Sequence, residues 1–175
     1  MANILILYST TDGHTLKICR SLQQVVEQDG HTVTLTSICM ANQENLSAFD
    51  KIVIGASVRY GKHSSQVTDF IRKHQAVLER RPSAFFSVNI VARKPEKNQP
   101  ETNPYLRKFL KQISWQPREL AVFAGKLDYP KYHFFDRTMI RLIMLLTRGP
   151  TDPTTVVEFT DWQKVAAFGH TLGKM

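Results

Sequence analysis

Ile4-Leu5-Ile6-Leu7-Tyr8-Ser9-Thr10-Thr11-Asp12-Gly13-His14-Thr15 opens the chain with an apolar run that passes without a spacer into a hydroxyl-rich loop ending in glycine. A helix pattern follows at once over residues 15–28, with Leu16, Cys19, Leu22, Val25 and Val26 along one face. At such a helix start the unpaired N–H groups and the positive end of the dipole point outward. Ser and Thr hydroxyls add donors, so the loop suits a phosphate. Thr11 or Asp12 would equally serve as a plain helix cap with no ligand. Asp12 would repel a dianion, and it is expected to turn aside and cap backbone N–H groups. The loop lacks the Gly-rich, lysine-terminated pattern of proteins that hydrolyse ATP or GTP.

Outward from this stretch, strand and helix patterns alternate. Asp29-Gly30 closes the first helix, and residues 31–36 read as a second strand followed by a loop or short helix to Phe49. Residues 52–56 form a third apolar run, and 67–78 an amphipathic helix stopped by Arg81-Pro82. A fourth strand over 84–91, a helix over 105–113 and a fifth strand over 120–124 follow. Thr160-Asp161-Trp162-Gln163 has the form of a capping box, opening a last helix to about Leu172. Short buried-type strands separated by helices predict an α/β protein: a doubly wound, five-stranded parallel sheet in the flavodoxin-like order 2-1-3-4-5. The 175 residues read as one domain, 1–175.

One segment breaks the rhythm. Residues 126–160 follow the fifth strand as a connection too long for a compact domain unless it has a purpose. Within it, 134–147 predicts an almost wholly apolar helix carrying Arg137 and Arg141. It is too short to span a bilayer but long enough to lie in the interface. There Met139, Ile140, Ile143, Met144 and Leu146 would enter the apolar layer while Tyr129, Tyr132, Phe134 and Phe135 sit among headgroups. Packing on the core or on a second copy is the competing expectation. Charge agrees with an anionic partner on this side: of the net +8, residues 91–175 contribute 14 basic against 8 acidic side chains. Cys19 and Cys39 show no metal-ligand spacing, and two free thiols suit a reducing cytoplasm. No metal site is expected, and no leader or membrane span is evident.

In doubly wound sheets ligands lie beyond the carboxyl ends of the strands where strand order reverses, as FMN does in flavodoxin. Three loops share that edge. The first is Ser9, Thr10, Thr11, Asp12, Gly13, His14 and Thr15. The second, Ser57, Val58, Arg59, Tyr60 and Gly61 after the small residues Gly55-Ala56, lets backbone approach a planar ring that Tyr60 can stack on. An ordinary strand–helix loop reads the same way. The third, Ser87, Val88 and Asn89, offers hydrogen bonds to a ring edge and leads into Arg93-Lys94-Pro95-Glu96-Lys97, which is otherwise a solvated basic loop. No Ser/His/Asp or His/Glu metal motif is present, and the paired carboxylates of a phosphoaccepting receiver are missing from strand one.

Y-S-T-T-D-G-H-T, G-A-S-V-R-Y-G, P-S-A-F-F-S-V-N-I-V-A-R-K-P-E-K, the insertion and T-D-W-Q together resemble the bacterial quinone-dependent protoporphyrinogen IX dehydrogenases. Asp12 and His14 depart from the usual Thr and Asn of ordinary flavodoxins, which are also acidic. The resemblance implies a flavodoxin-like FMN enzyme of heme biosynthesis that oxidises protoporphyrinogen IX to protoporphyrin IX. Three two-electron rounds would pass electrons to menaquinone or ubiquinone, with peripheral contact at the cytoplasmic face of the inner membrane and no nucleic acid. The substrate's propionates need cations, for which Arg59, Arg93, Lys94, Arg137 and Arg141 are the candidates. No general base can be named, although His63 lies near the second loop. Oligomeric state is not readable. A flavodoxin-like electron carrier, a nicotinamide-linked quinone reductase and a flavin-free basic binding module stay open as alternatives.

Overall fold

The computed structural model describes residues 1–41 and 45–175. Seven residues of β1 (Asn3–Ser9) lead through the glycine loop to α1 (His14–Gln28), and β2 (Thr32–Ser37) returns beside β1 in parallel. The expected loop or short helix before Phe49 falls partly outside the described residues; the described part is a short 3-10 turn, Leu46–Ala48. β3 (Lys51–Arg59), α2 (Ser65–Arg80), β5 (Ser83–Asn89), α3 (Pro104–Leu110), β6 (Glu119–Ala124) and α5 (Trp162–Lys174) complete the main layers. The parallel sheet runs β2-β1-β3-β5-β6, which is the expected order, and a two-residue β4 (Lys62–His63) folds back antiparallel on β3.

Both faces of the sheet are covered, so the strand interiors are apolar almost without break. Ile18, Cys19, Leu22 and Val26 of α1 and Val165, Phe168 and Leu172 of α5 pack on one face. Val67, Phe70, Ile71 and Leu78 of α2, with Leu106 and Phe109 of α3, pack on the other. The buried stripe of α1 is thus centred on Ile18 and Leu22, with Leu16 and Val25 at its margins. In the sheet's middle, Gly55 pairs with Phe86 of β5, and a methyl group there would fall onto the Phe86 ring. The ammonium of Lys51 is drawn under α5, donating to the carbonyls of Leu172 at 3.1 Å and Gly173 at 2.7 Å, where a helix end leaves acceptors unpaired.

Three local expectations are corrected. α1 has no side-chain cap: Gly13 takes the N-cap position at φ 84°, and Asp12 pairs elsewhere. α5 is capped by Asp161, which accepts from the N–H groups of Gln163 and Lys164, one residue later than the Thr160 capping box would have it. Thr160 is instead bonded to Ala124 and His14. The residues after Ala56 do not form a loop, because β3 continues to Arg59 and turns through Tyr60-Gly61 into β4.

The insertion has a small core of its own. β7 (Lys126–Asp128) pairs antiparallel with β8 (Val156–Glu158), and α4 (Phe134–Leu146) lies between them in sequence. Leu127, Tyr129, Tyr132 and Met144 are buried, with Ile90, Ile140, Ile143, Val157 and Phe159 packed against them. Tyr129 and Tyr132 therefore belong to an interior, not to an aromatic rim, and Ile140, Ile143 and Met144 face inward. The outward face is a different apolar set: Phe134, Phe135, Met139, Leu142, Leu145 and Leu146, with Phe135 80% exposed and Leu146 76%. No helix among the described residues is long and apolar enough to cross a membrane.

Candidate functional site

Parallel pairing of β1, β3, β5 and β6 brings four loops to one sheet edge, with Ser9 opposite Ala56 and Ser57 opposite Val88. Between them and α4 lies an open cleft holding about 1050 Å³ of free space, solvent included. Thr10, Thr11, Asp12, His14 and Thr15 form its floor at the start of α1, and Ser57, Val58, Arg59, Tyr60 and Gly61 one side. Val88, Asn89, Ile90 and Val91 form the opposite side. Ser9 ends β1 just below, and Gly13 holds the turn into α1.

The floor fits a phosphate on an observation of its own. Thr15 is buried at the helix start, and its Oγ1 has no hydrogen-bond partner among the described residues. A buried hydroxyl without a partner costs free energy that a bound acceptor recovers. Gly13 is required by conformation alone, since a Cβ there meets nothing within 4 Å while φ is +84°. Gly13→Val should therefore keep the fold and lower flavin affinity by about tenfold or more, from roughly 1–2 kcal/mol of left-handed strain at a β-branched residue. Flavin occupancy after gel filtration checks this.

Asp12 is neutralised by pairing. Arg59 donates to Asp12 Oδ2 at 2.8 Å and to Asp136 Oδ2, in the first turn of α4, also at 2.8 Å. Burial pulls the guanidinium's pKa down, but the two carboxylates more than offset this and hold it above its ordinary value. The Tyr132 ring lies 5.4 Å from the same guanidinium. One side chain thus ties phosphate loop, hairpin and insertion together. The hairpin turn holds Tyr60 at φ 51° and Gly61 at φ 75°, as a two-residue turn of the hairpin-compatible hand demands, and leaves the Tyr60 ring half exposed at the rim.

His14 is kept neutral. Burial lowers its pKa; Glu158 raises it, and Lys17 and Lys126 lower it further. Thr160 Oγ1 donates to the Ala124 carbonyl at 2.7 Å and so accepts from His14 Nε2 at 2.6 Å, which assigns the Nε2–H tautomer.

Behind the third loop runs a buried chain of polar groups. His63 Nε2 lies 2.8 Å from Ser87 Oγ, and Asn89 Nδ2 donates to Ser87 Oγ and to Asn103 Oδ1. Asn89 Oδ1 accepts from Ala92 N and Asn103 Nδ2. Ser87 is fully buried and off the cleft, and the Asn89 amide is committed to holding the loop. What this loop offers a ring edge is backbone. Burial pushes the His63 pKa down to about 4, so the folded protein resists a proton that the unfolded chain accepts near 6.5. Because the unfolded state binds more protons in that window, stability rises with pH through it and is lost as pH falls from 6.5 toward 4. Between pH 6.5 and 5 the protein should lose about 1.5 kcal/mol in urea unfolding from this group, with His14 adding in the same sense, and His63→Gln should flatten the slope.

Of the expected carboxylate-binding cations, only Arg59 lines the cleft. Arg93 donates to the Ile90 carbonyl and to both oxygens of Thr147, pinning the end of α4. Arg137 donates to Tyr132 O and Arg141 to Thr151 O, and Lys94 stands outside the cleft wall. Sequence reasoning missed Gly125, Lys126, Asp128, Lys131, Tyr105 and Tyr132, which also line the cleft, as do Ile140, Ile143 and Met144. Lys126 follows the fifth strand at the same carboxyl edge that marked the other loops. Among the described residues no group of His, Cys, Asp and Glu is placed to hold a metal.

Residues 5–154 match the flavodoxin domain family. Over 98% of its length the chain is 43% identical to the protoporphyrinogen IX dehydrogenase (quinone) of Escherichia coli strain K12, covering 94% of that protein. The chain belongs to the protoporphyrinogen IX dehydrogenase (quinone) family. The Leishmania major protein of the same name is 45% identical over 94% of this chain and 71% of its own length. Oxidised flavodoxin 2 from Bacillus cereus superposes with a TM-score of 0.59 at 18% identity, covering 99% of both chains, which establishes the shared fold. A flavodoxin domain in this family of oxidoreductases points to a flavin as cofactor, and the unpartnered Thr15 hydroxyl, the small residues of the hairpin and the backbone of residues 89–91 fit one.

Proposed function

We propose that this chain oxidises protoporphyrinogen IX to protoporphyrin IX with FMN as cofactor, in three two-electron rounds, and hands the electrons to a membrane quinone, menaquinone or ubiquinone. The observation that carries this reading is likeness to an enzyme of that name over 98% of the chain, with the insertion forming one wall of the ligand cleft. Thr10, Thr11, Thr15 and the first N–H groups of α1 hold the phosphate. The hairpin with Tyr60 and the backbone of 88–91 would hold the ring. Bound FMN supplies the two-electron acceptor, and the protein's task is to place it and exclude side reactions. Ile90, Ile140, Ile143 and Met144 present a dry surface to the tetrapyrrole and keep water from the reacting face.

The outward apolar face of α4, flanked in sequence by the exposed Arg141 and Arg148, supports peripheral contact with an anionic bilayer at the cytoplasmic face of the inner membrane. A lipid-soluble acceptor is reached from there. The test is anaerobic mixing of FMN-loaded protein with protoporphyrinogen IX: flavin absorbance should bleach and return on adding quinone. Bleaching by NAD(P)H but not by porphyrinogen would overturn the reading.

A further inference from the structure

We propose that Lys126 and Lys131, held by one buried carboxylate, form the subsite for the substrate's propionates; the inference rests on the porphyrinogen reading above. Both ammoniums approach the same oxygen, Asp128 Oδ2, at 3.2 Å from Lys126 and 3.6 Å from Lys131. Asp128 is itself only 8% exposed. Two cations on one anion leave an excess positive charge, and both contacts are ion pairs, so each ammonium still has donors to offer a ligand. Asp128 is therefore a positioning residue: it fixes two flexible side chains on the cleft wall without cancelling them.

Their surroundings match an amphiphile. Ile140 and Ile143 line the same cleft, so a ligand with an apolar body and an anionic edge meets both halves of its own chemistry there. The other cations do not compete, because Arg59 serves two carboxylates while Arg93, Arg137 and Arg141 are bonded to chain oxygens and do not line the cleft. A lysine meets a carboxylate as a compact point charge, and in a cleft of partly excluded water that pairing is worth more than on open surface.

Phosphate is the other source of negative charge, since Lys126 lies near enough to His14 at the start of α1 to lower its pKa. The two sources separate by experiment. Full-length, FMN-loaded wild type and the double variant Lys126→Met with Lys131→Met are titrated with protoporphyrin IX and with its dimethyl ester, followed by porphyrin fluorescence. Affinity of the double variant for the diacid should fall by about 10- to 100-fold and for the ester by no more than about twofold. Arginine at both positions should restore most of the diacid preference. Preference for FMN over riboflavin should be the same in wild type and variant.

Equal loss for diacid and ester, or unchanged diacid affinity, overturns the subsite. A drop in FMN preference over riboflavin also overturns it and assigns the lysines to the phosphate. If wild type oxidises both porphyrinogens but shows no diacid preference, the subsite fails and the function stands. If wild type binds and oxidises neither, the function fails and the subsite with it.

Discussion

Deletion of residues 129–148 should leave a flavin-binding protein that no longer oxidises porphyrinogen. The cut is geometrically mild. Asp128 and Val156 are opposite each other in the β7–β8 pair, so residues 149–155 would close a seven-residue hairpin in place of the helix. The phosphate floor, the Tyr60 hairpin and the buried Asn89 chain lie outside the deleted segment, and the His14–Thr160 bond survives. What disappears is the wall of Ile140, Ile143 and Met144, together with Lys131. A substrate without that wall is not held against the ring, and misplacement of this size costs about 100-fold or more in turnover. Leu127 and Ile90 lose their cover, so stability falls too; flavin titration and dithionite reduction show that the cleft's other half persists. Turnover within a few fold of the full chain would refute the role assigned to the insertion.

Arg59→Met should weaken FMN binding by about 10- to 100-fold while riboflavin binding changes little, since losing one partner of a half-buried ion pair leaves its carboxylates uncompensated. Asp12 would then face the phosphate dianion with its charge unbalanced, and riboflavin has no such dianion. The Asp12→Asn change added to Arg59→Met should recover most of the lost FMN affinity, because it removes the repulsion that the first change exposed. Isothermal titration of both ligands with the four proteins of this cycle measures the coupling. If riboflavin weakens as much as FMN, Arg59 acts on ring placement and not on the loop's charge.

The sheet was legible because β1, β3 and β5 are buried on both faces and therefore read as short apolar runs, and right-handed crossovers leave few ways to order such strands. The hairpin was not legible. Ser57 is the last β3 residue in the parallel register, and Val58-Arg59 continue past it to pair with the two residues of β4, too short to register as a strand in sequence. The loop before α1 was singled out by its chemistry, yet Asp12's partner was not: the Asp12–Arg59 and Arg59–Asp136 pairs are separated by 47 and 77 positions. No local pattern carries such a separation. The same holds for Asn89, whose amide is consumed by Asn103, fourteen positions on. In α4 the sequence announced an almost wholly apolar helix but not which side was inside, because apolar residues fall all around it. Met144, buried, and Leu145, exposed, are indistinguishable by hydropathy alone.

α4 carries hydrocarbon on both of its sides, and a single helix is about 10 Å across with its side chains. That thickness is all that separates the cleft interior from whatever wets the outer surface. A redox partner resting against Leu142 and Leu146 would need no channel to the buried ring and no relay metal. On the proposed function, the bulky macrocycle and the lipid-soluble acceptor would meet opposite sides of the same partition, one layer of packed side chains apart.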